Sequence, residues 1–120
     1  MADILIVDDS SAFRTVIRRS LEQAGHKILG EGANADEALK LLKKHQADIM
    51  LLDLLMPGKS GLDVLKKIKK DKHNLNVLIV TAVNRKPINE RAKKYGAKKI
   101  LYKPFDSDEM LKMVDEISKK

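Results

Sequence analysis

Two hydrophobic rhythms alternate along the chain. Short β-rich runs stand at 3–7 (DILIV), 27–31 (KILGE), 48–52 (DIMLL), 76–81 (NVLIVT) and 98–102 (KKILY). Between them apolar residues recur every three or four positions, the spacing of a helix with one buried face. Phe13, Val16, Ile17, Leu21 and Ala24 make one such face, and Gly25 follows where a helix C-terminus favours glycine. Asn34 with Glu37 three residues later reads as a capping box opening a helix over 35–45. Ser60 is placed to cap a helix carrying Leu62, Leu65 and Ile68. A fourth helix ends at Tyr95-Gly96, and Asp106 with Glu109 opens the last, whose face is Met110, Leu111, Val114 and Ile117.

Five strands thus alternate with five helices through short connections, with no internal repeat and no low-complexity segment. That pattern predicts an α/β fold with a parallel sheet. The first, third and fourth strands are almost wholly apolar, as strands are when helices cover both faces of a sheet. Right-handed crossovers leave only a few doubly wound strand orders. In such sheets ligands bind beyond the C-terminal ends of the strands, where neighbouring strands send their helices to opposite faces.

Length changes the picture only by bounding it: 120 residues suffice for one domain with a real core, spanning 1–120, and are too few for two. The absence of cysteine argues against a disulfide framework or a thiolate metal site and favours a cytoplasmic setting. The start, MADILIVDDS, lacks the basic opening and long apolar run of a signal peptide, and no apolar stretch approaches the roughly 20 residues of a membrane span. Net charge is +7 and uneven: residues 1–60 hold 8 Lys/Arg against 9 Asp/Glu, residues 61–120 hold 16 against 8. The basic runs KKIKKDK (66–72) and RAKKYGAKK (91–99) read first as solvated helix faces, with lysines near helix C-termini where the dipole favours them. A basic docking surface for an acidic partner is the sharper reading; nucleic acid is disfavoured, since few aromatics are present to stack on bases.

The stretch LLDLLMPG (51–58) sets one aspartate among four leucines and a methionine. An ionised carboxylate in such a run is costly unless cations and donors compensate it. The other strand ends supply them. Asp8-Asp9 follow the first strand, Asp53 the third; Thr81-Ala82 close the fourth, and Lys103-Pro104 follow the fifth. Three carboxylates, a hydroxyl and an ammonium converge on one edge. A divalent cation would bring the formal charge to zero, and carboxylates with open positions suit Mg²⁺. A carboxylate can act as a nucleophile toward phosphorus. Mg²⁺ on Asp8 and Asp9, Lys103 opposite, and donors from Thr81 and the Ala82 N–H would supply the positioning that phosphoryl transfer requires.

With VDDS (7–10), DLLMPGKSG (53–61), VTA (80–82) and KPF (103–105) in order, the sequence resembles the response-regulator receiver domains of two-component signalling over essentially its whole length. The resemblance implies a flavodoxin-like sheet of order 2-1-3-4-5 with five flanking helices. It implies that Asp53 is the phosphoacceptor and that Asp8, Asp9, Asp53 and the backbone carbonyl of Leu55 hold Mg²⁺. Thr81, Lys103 and the Ala82 N–H would contact the phosphoryl oxygens. The expected partners are a histidine kinase as donor, a downstream protein with an acidic docking surface, and a partner phosphatase. If the 120 residues are the whole product, the expectation is a stand-alone binding switch of chemotaxis or phosphorelay type, not an enzyme; the alternative is a receiver excised from a longer protein.

Taken singly, each element has a duller explanation. Asp8-Asp9 suit a helix N-terminus, Asp53 a turn, Thr81 a strand, Lys103 an exposed loop, and the scattered His26, His45 and His73 a surface. None of these predicts that all the polar strand ends share one edge. A haloacid-dehalogenase-like phosphatase would carry a second aspartate two residues after a nucleophile on the first strand, where Ser10 stands. A flavodoxin-like carrier would want a glycine- and hydroxyl-rich phosphate loop there, and Asp8-Asp9 would repel phosphate. Two departures from the family pattern matter. Many receivers carry an aromatic where Ile100 stands, so Ile100 is expected to be packed, with Tyr102 as the alternative switch residue. Leu55 and Val83 occupy the positions that flank the path of attacking water.

Overall fold

The computed structural model describes residues 1–118. Its elements run β1 (Asp3–Val7), α1 (Ser11–Gln23), β2 (Lys27–Gly32), α2 (Ala35–Lys44), β3 (Ile49–Leu52), α3 (Gly61–Lys70), β4 (Asn76–Thr81), α4 (Lys86–Lys94), β5 (Lys99–Tyr102) and α5 (Ser107–Ser118). All neighbouring strands pair in parallel in the order β2-β1-β3-β4-β5. The α/β reading and the 2-1-3-4-5 order both hold.

Side-chain alternation along the strands builds two cores. Ile4, Ile6, Ile49, Leu51, Leu78 and Val80 face α1 and α5, meeting Ile17, Leu21, Met110, Val114 and Ile117. Leu5, Val7, Met50, Leu52, Val77 and Ile79 face α2, α3 and α4, meeting Ala38, Leu42, Val64, Leu65 and Ala92. A strand with both faces covered has no solvent-facing position between its ends, which is why the central strands read as apolar runs with polar residues only at their ends. Helix α1 lies on one face and α3 on the other, so the chain reverses direction between β1 and β3 and opens a crevice at their C-terminal ends.

The helix ends are set by local chemistry. The Ser10 hydroxyl accepts the Phe13 N–H, and Ser60 and Asp63 form a reciprocal capping box on α3. Asp106 and Glu109 do the same at α5, with each backbone N–H donating to the other's carboxylate. At α2 the expected box is displaced by one residue: the Glu37 N–H donates to Asn34 Oδ1 at 2.9 Å, but the Glu37 carboxylate accepts the Ala33 N–H. Val16 departs from its expected place. It is 61% exposed, because Phe13, Ile17 and Leu21 already fill the inward stripe of α1.

Three helices end in the same backbone loop. After α1 and α4 the left-handed position is taken by Gly25 (φ +95°) and Gly96 (φ +101°), with the next N–H returning to Leu21 and Ala92 carbonyls respectively. After α3 it is taken by Lys72 (φ +56°), and the His73 N–H returns to the Ile68 carbonyl. A side chain with a Cβ pays on the order of 1 kcal/mol for that conformation. Along the outer edge, the β1–β2 register slips between Ile4 and Leu5, so that Leu29 has no partner in β1.

Candidate functional site

The sheet itself places the polar residues of the crevice. The Asp8 N–H donates to the Gly32 carbonyl at 3.0 Å, the Asp53 N–H to the Val7 carbonyl at 3.0 Å, and the Lys103 N–H to the Thr81 carbonyl at 2.9 Å. Each ladder therefore runs one residue past its strand and ends on a functional side chain. Asp8, Asp53 and Thr81 are the fully buried polar residues among the described residues. The Asp53 carboxylate accepts the Leu55 N–H at 3.1 Å, and that of Asp8 accepts the Ser10 N–H at 2.9 Å. The Lys103 ammonium lies 2.8 Å from Asp8 Oδ2 and 3.3 Å from Asp53 Oδ2.

Burial pushes the Asp53 carboxyl above the usual range, with Asp8 adding to the effect and the Leu55 N–H and Lys103 opposing it. Burial works against the Lys103 charge too, but its bonds to Asp8 and Asp53 outweigh it and raise the ammonium. Both groups shift upward because Lys103 sits closer to Asp8, leaving Asp53 the weaker share of the cation. The arrangement is short of positive charge for its acids.

Carboxylate oxygens of Asp8, Asp9 and Asp53 lie within 4.8 Å of one another, with Asp9 exposed to solvent. Oxygen donors with an open side suit a hard divalent cation that retains water, so the residues fit Mg²⁺. The backbone of Leu55 turns its N–H to Asp53, and its side chain is 57% exposed. Thr81 lies at the end of β4 with its Oγ1 accepting the Val83 N–H at 3.2 Å, and Ala82 beside it is exposed. Lys103 thus joins Asp8 and Asp53, whereas Thr81 faces its own loop.

Sequence reasoning missed two neighbours of the site. Phe13, expected only in the core, presents its ring to the Lys103 ammonium, 4.1 Å from the centroid, and is itself met edge-on by Phe105 at 5.9 Å. The Arg14 guanidinium donates to the Asp8 carbonyl and pairs with Glu31 at 2.9 Å. The Phe13 contact has no local signal, since Phe13 and Lys103 belong to opposite ends of the chain. The histidines lie outside the site, but all three are half-buried rather than on the surface. His26 accepts the Ala2 N–H at 3.1 Å, and burial, with the N-terminal amine, pushes its imidazole down.

The family model for the response regulator receiver domain matches residues 4–115. Among curated proteins, the chain is 31% identical to the chemotaxis protein CheY of Thermotoga maritima, with 97% of each chain covered. It is 35% identical to the sporulation initiation phosphotransferase F of Bacillus subtilis, over 89% of this chain and 86% of that one. Among solved structures, it superposes with a TM-score of 0.93 on a chain of the CheX–CheY–BeF3–Mg²⁺ complex of Borrelia burgdorferi, at 28% identity, covering 98% of this chain and 90% of that one.

Proposed function

Since the chain belongs to the response regulator receiver domain family, we propose that Asp53 is its phosphoacceptor and that residues 1–120 act as one phosphorylation-dependent binding switch. The observation that carries this reading is the contact of Lys103 with both the buried Asp53 and the buried Asp8 at the mouth of the crevice. Asp8, Asp9 and Asp53, with the Leu55 carbonyl, would hold Mg²⁺. When bound, the ion supplies positive charge to phosphoryl oxygens at a site that lacks it.

The chain's own groups do the rest. An Asp53 oxygen attacks phosphorus in line, the O–P bond forms as the P–N bond to the donor histidine breaks, and the imidazole leaves with a proton. Lys103 is tethered to both acids and needs only to turn from the Asp53 carboxylate toward a phosphoryl oxygen. Burial excludes competing water from the nucleophile and strengthens each charged contact.

Phosphorylation replaces one negative charge with a group of about −1.5 to −2 and new acceptor oxygens. Thr81 Oγ1 would leave the Val83 N–H for one of them, and the Ala82 N–H would follow. That movement pulls the loop into α4. Among the described residues, α4 has no side-chain cap at Arg85, and Ala92 is its one fully buried residue, so it is the helix least anchored against a shift. The surface of α4, β5 and α5 would then dock an acidic partner protein. Ile100 and Tyr102 are both half-buried on β5.

Incubation with acetyl phosphate and Mg²⁺ followed by intact-mass measurement tests the acceptor. A single base-labile phosphoryl adduct is expected, absent with EDTA and absent in Asp53→Ala. Continuous turnover of phosphate without an adduct would instead favour the phosphatase reading. Amide shifts of the beryllofluoride form test the switch, and an unmoved 85–105 segment overturns it.

A further inference from the structure

At the edge of the sheet opposite the acids, the C-terminal ends of α3 and α4 meet the start of β4 around a groove of about 520 Å³. Its floor is apolar, built from Ile68, Leu75, Val77 and Tyr95, and its rim carries Lys69, Lys72 and His73. A second cleft of about 830 Å³ continues from Lys72 and His73 past Lys43, Lys44 and His45 at the end of α2. No acid lies within ion-pair distance of Lys43, Lys44 or Lys72 among the described residues.

Lysines at helix C-termini have an ordinary explanation in the helix dipole, and Lys69 fits it, donating to the Lys94 carbonyl at 3.1 Å. Lys72 does not. It lies beyond the helix in the left-handed position that Gly25 and Gly96 fill at the two equivalent loops. There a lysine is conformationally worse than glycine, and among the described residues its ammonium has no hydrogen-bond or ion-pair partner to compensate. A residue held against its backbone preference at the junction of two clefts is a candidate for a binding role.

We propose that this groove docks an acidic segment of a partner protein, one apolar side chain seated on Ile68, Leu75, Val77 and Tyr95 and flanking carboxylates on Lys69 and Lys72. The apolar floor selects a peptide over a nucleic acid, which would offer phosphates at the rim but nothing for the floor. The one aromatic ring lining the groove, Tyr95, is a single ring and makes no platform for successive bases. The groove is separate from Asp53, and the inference does not rest on phosphorylation.

The test uses a short fluorescein-labelled peptide of glutamates around one central leucine, and the same peptide with serine in place of leucine. Anisotropy titrations of the whole chain at physiological salt should show the leucine peptide binding at least about tenfold more tightly, as burial of one leucine implies. Lys72→Gly should weaken that binding by about threefold or more, the size of one partly exposed charge contact. It should do so with a thermal midpoint at or above that of the wild type, which separates lost binding from lost fold. Amide shifts should cluster at 65–77 and 92–97. Equal affinity for the two peptides, no loss in Lys72→Gly, or shifts centred elsewhere overturns the proposal. So does tighter binding of a single-stranded oligonucleotide or of phosphatidylserine vesicles than of the leucine peptide.

Discussion

Lys103 has three neighbours of different kinds: the Asp8 carboxylate, the Asp53 carboxylate and the face of Phe13. The ring holds the ammonium without neutralising it, leaving its charge available to a phosphoryl group. A cation–π contact of this sort contributes about 0.5–2 kcal/mol. Phe13→Leu keeps an apolar side chain and removes that contact, so phosphorylation by acetyl phosphate should slow by about threefold to tenfold. An unchanged rate would reduce Phe13 to packing. Leu55 and Val83 bear on the reverse process. Neither side chain can orient a water for in-line attack, and both can obstruct one. The phosphorylated chain should therefore outlive a Leu55→Asn/Val83→Glu variant, by about tenfold for each 1.4 kcal/mol of positioning that the variant restores. First-order decay after removal of the phosphodonor measures it, and equal or faster decay in the wild type overturns it. At this scale the acids and Lys103 were legible because each follows an apolar strand. Phe13 was not, because the residue it serves lies across the fold, and its place in a helical apolar stripe read as ordinary core.

Helix α1 is tied to β2 through Glu31, whose carboxylate meets Arg14 at 2.9 Å and Arg18 at 2.8 Å. Burial alone would raise that carboxyl, but Arg18 and Arg14 together hold it below the usual glutamate range. The folded chain thus binds this proton less readily than the unfolded one. The resulting stability is complete above the ordinary glutamate range and is lost as pH falls through the lowered folded value. Glu31→Gln should be less stable at neutral pH and lose less on acidification; parallel urea midpoints across that range would show that the tie contributes nothing. Helix α3 is tied more closely still. A Cβ on Gly61 would meet the Asp53 carbonyl and lie 2.9 Å from the Leu54 Cα. Backbone cannot yield as a side chain can, so Gly61→Ala should cost about 1–3 kcal/mol in urea unfolding and slow phosphorylation by displacing Asp53. The elements themselves were largely legible, because their caps and periods are local properties. Val16 was misplaced because periodicity identifies a face without fixing its width. The shifted α2 box escaped notice because the sequence names the two partners but not which N–H they share.

On the scale of the whole molecule, charge is sorted by the direction of the sheet. Parallel strands put every strand C-terminus at one edge and every helix C-terminus at the other. The acids of the crevice therefore gather at one end, and Lys43, Lys44, Lys69 and Lys72, at the C-terminal ends of α2 and α3, gather at the other. The excess of base in the second half of the chain was visible in the sequence. That Lys69 and Lys72 meet Lys43 and Lys44 around two clefts was not, since the clefts are assembled from segments far apart in the chain. Strand order carries one further consequence, at the outer edge of β2. An exposed edge strand offers unpaired N–H and C=O groups to any similar edge. Here the register slip at Leu29 breaks the flat run of such groups, Gly30 and Gly32 supply no side chains to pack, and Lys27 and Glu31 add charge. The opposite edge, β5, is only four residues long and opens on Lys99. Neither rim makes a good template for cross-β stacking, so the folded sheet offers fibril growth no ready starting edge.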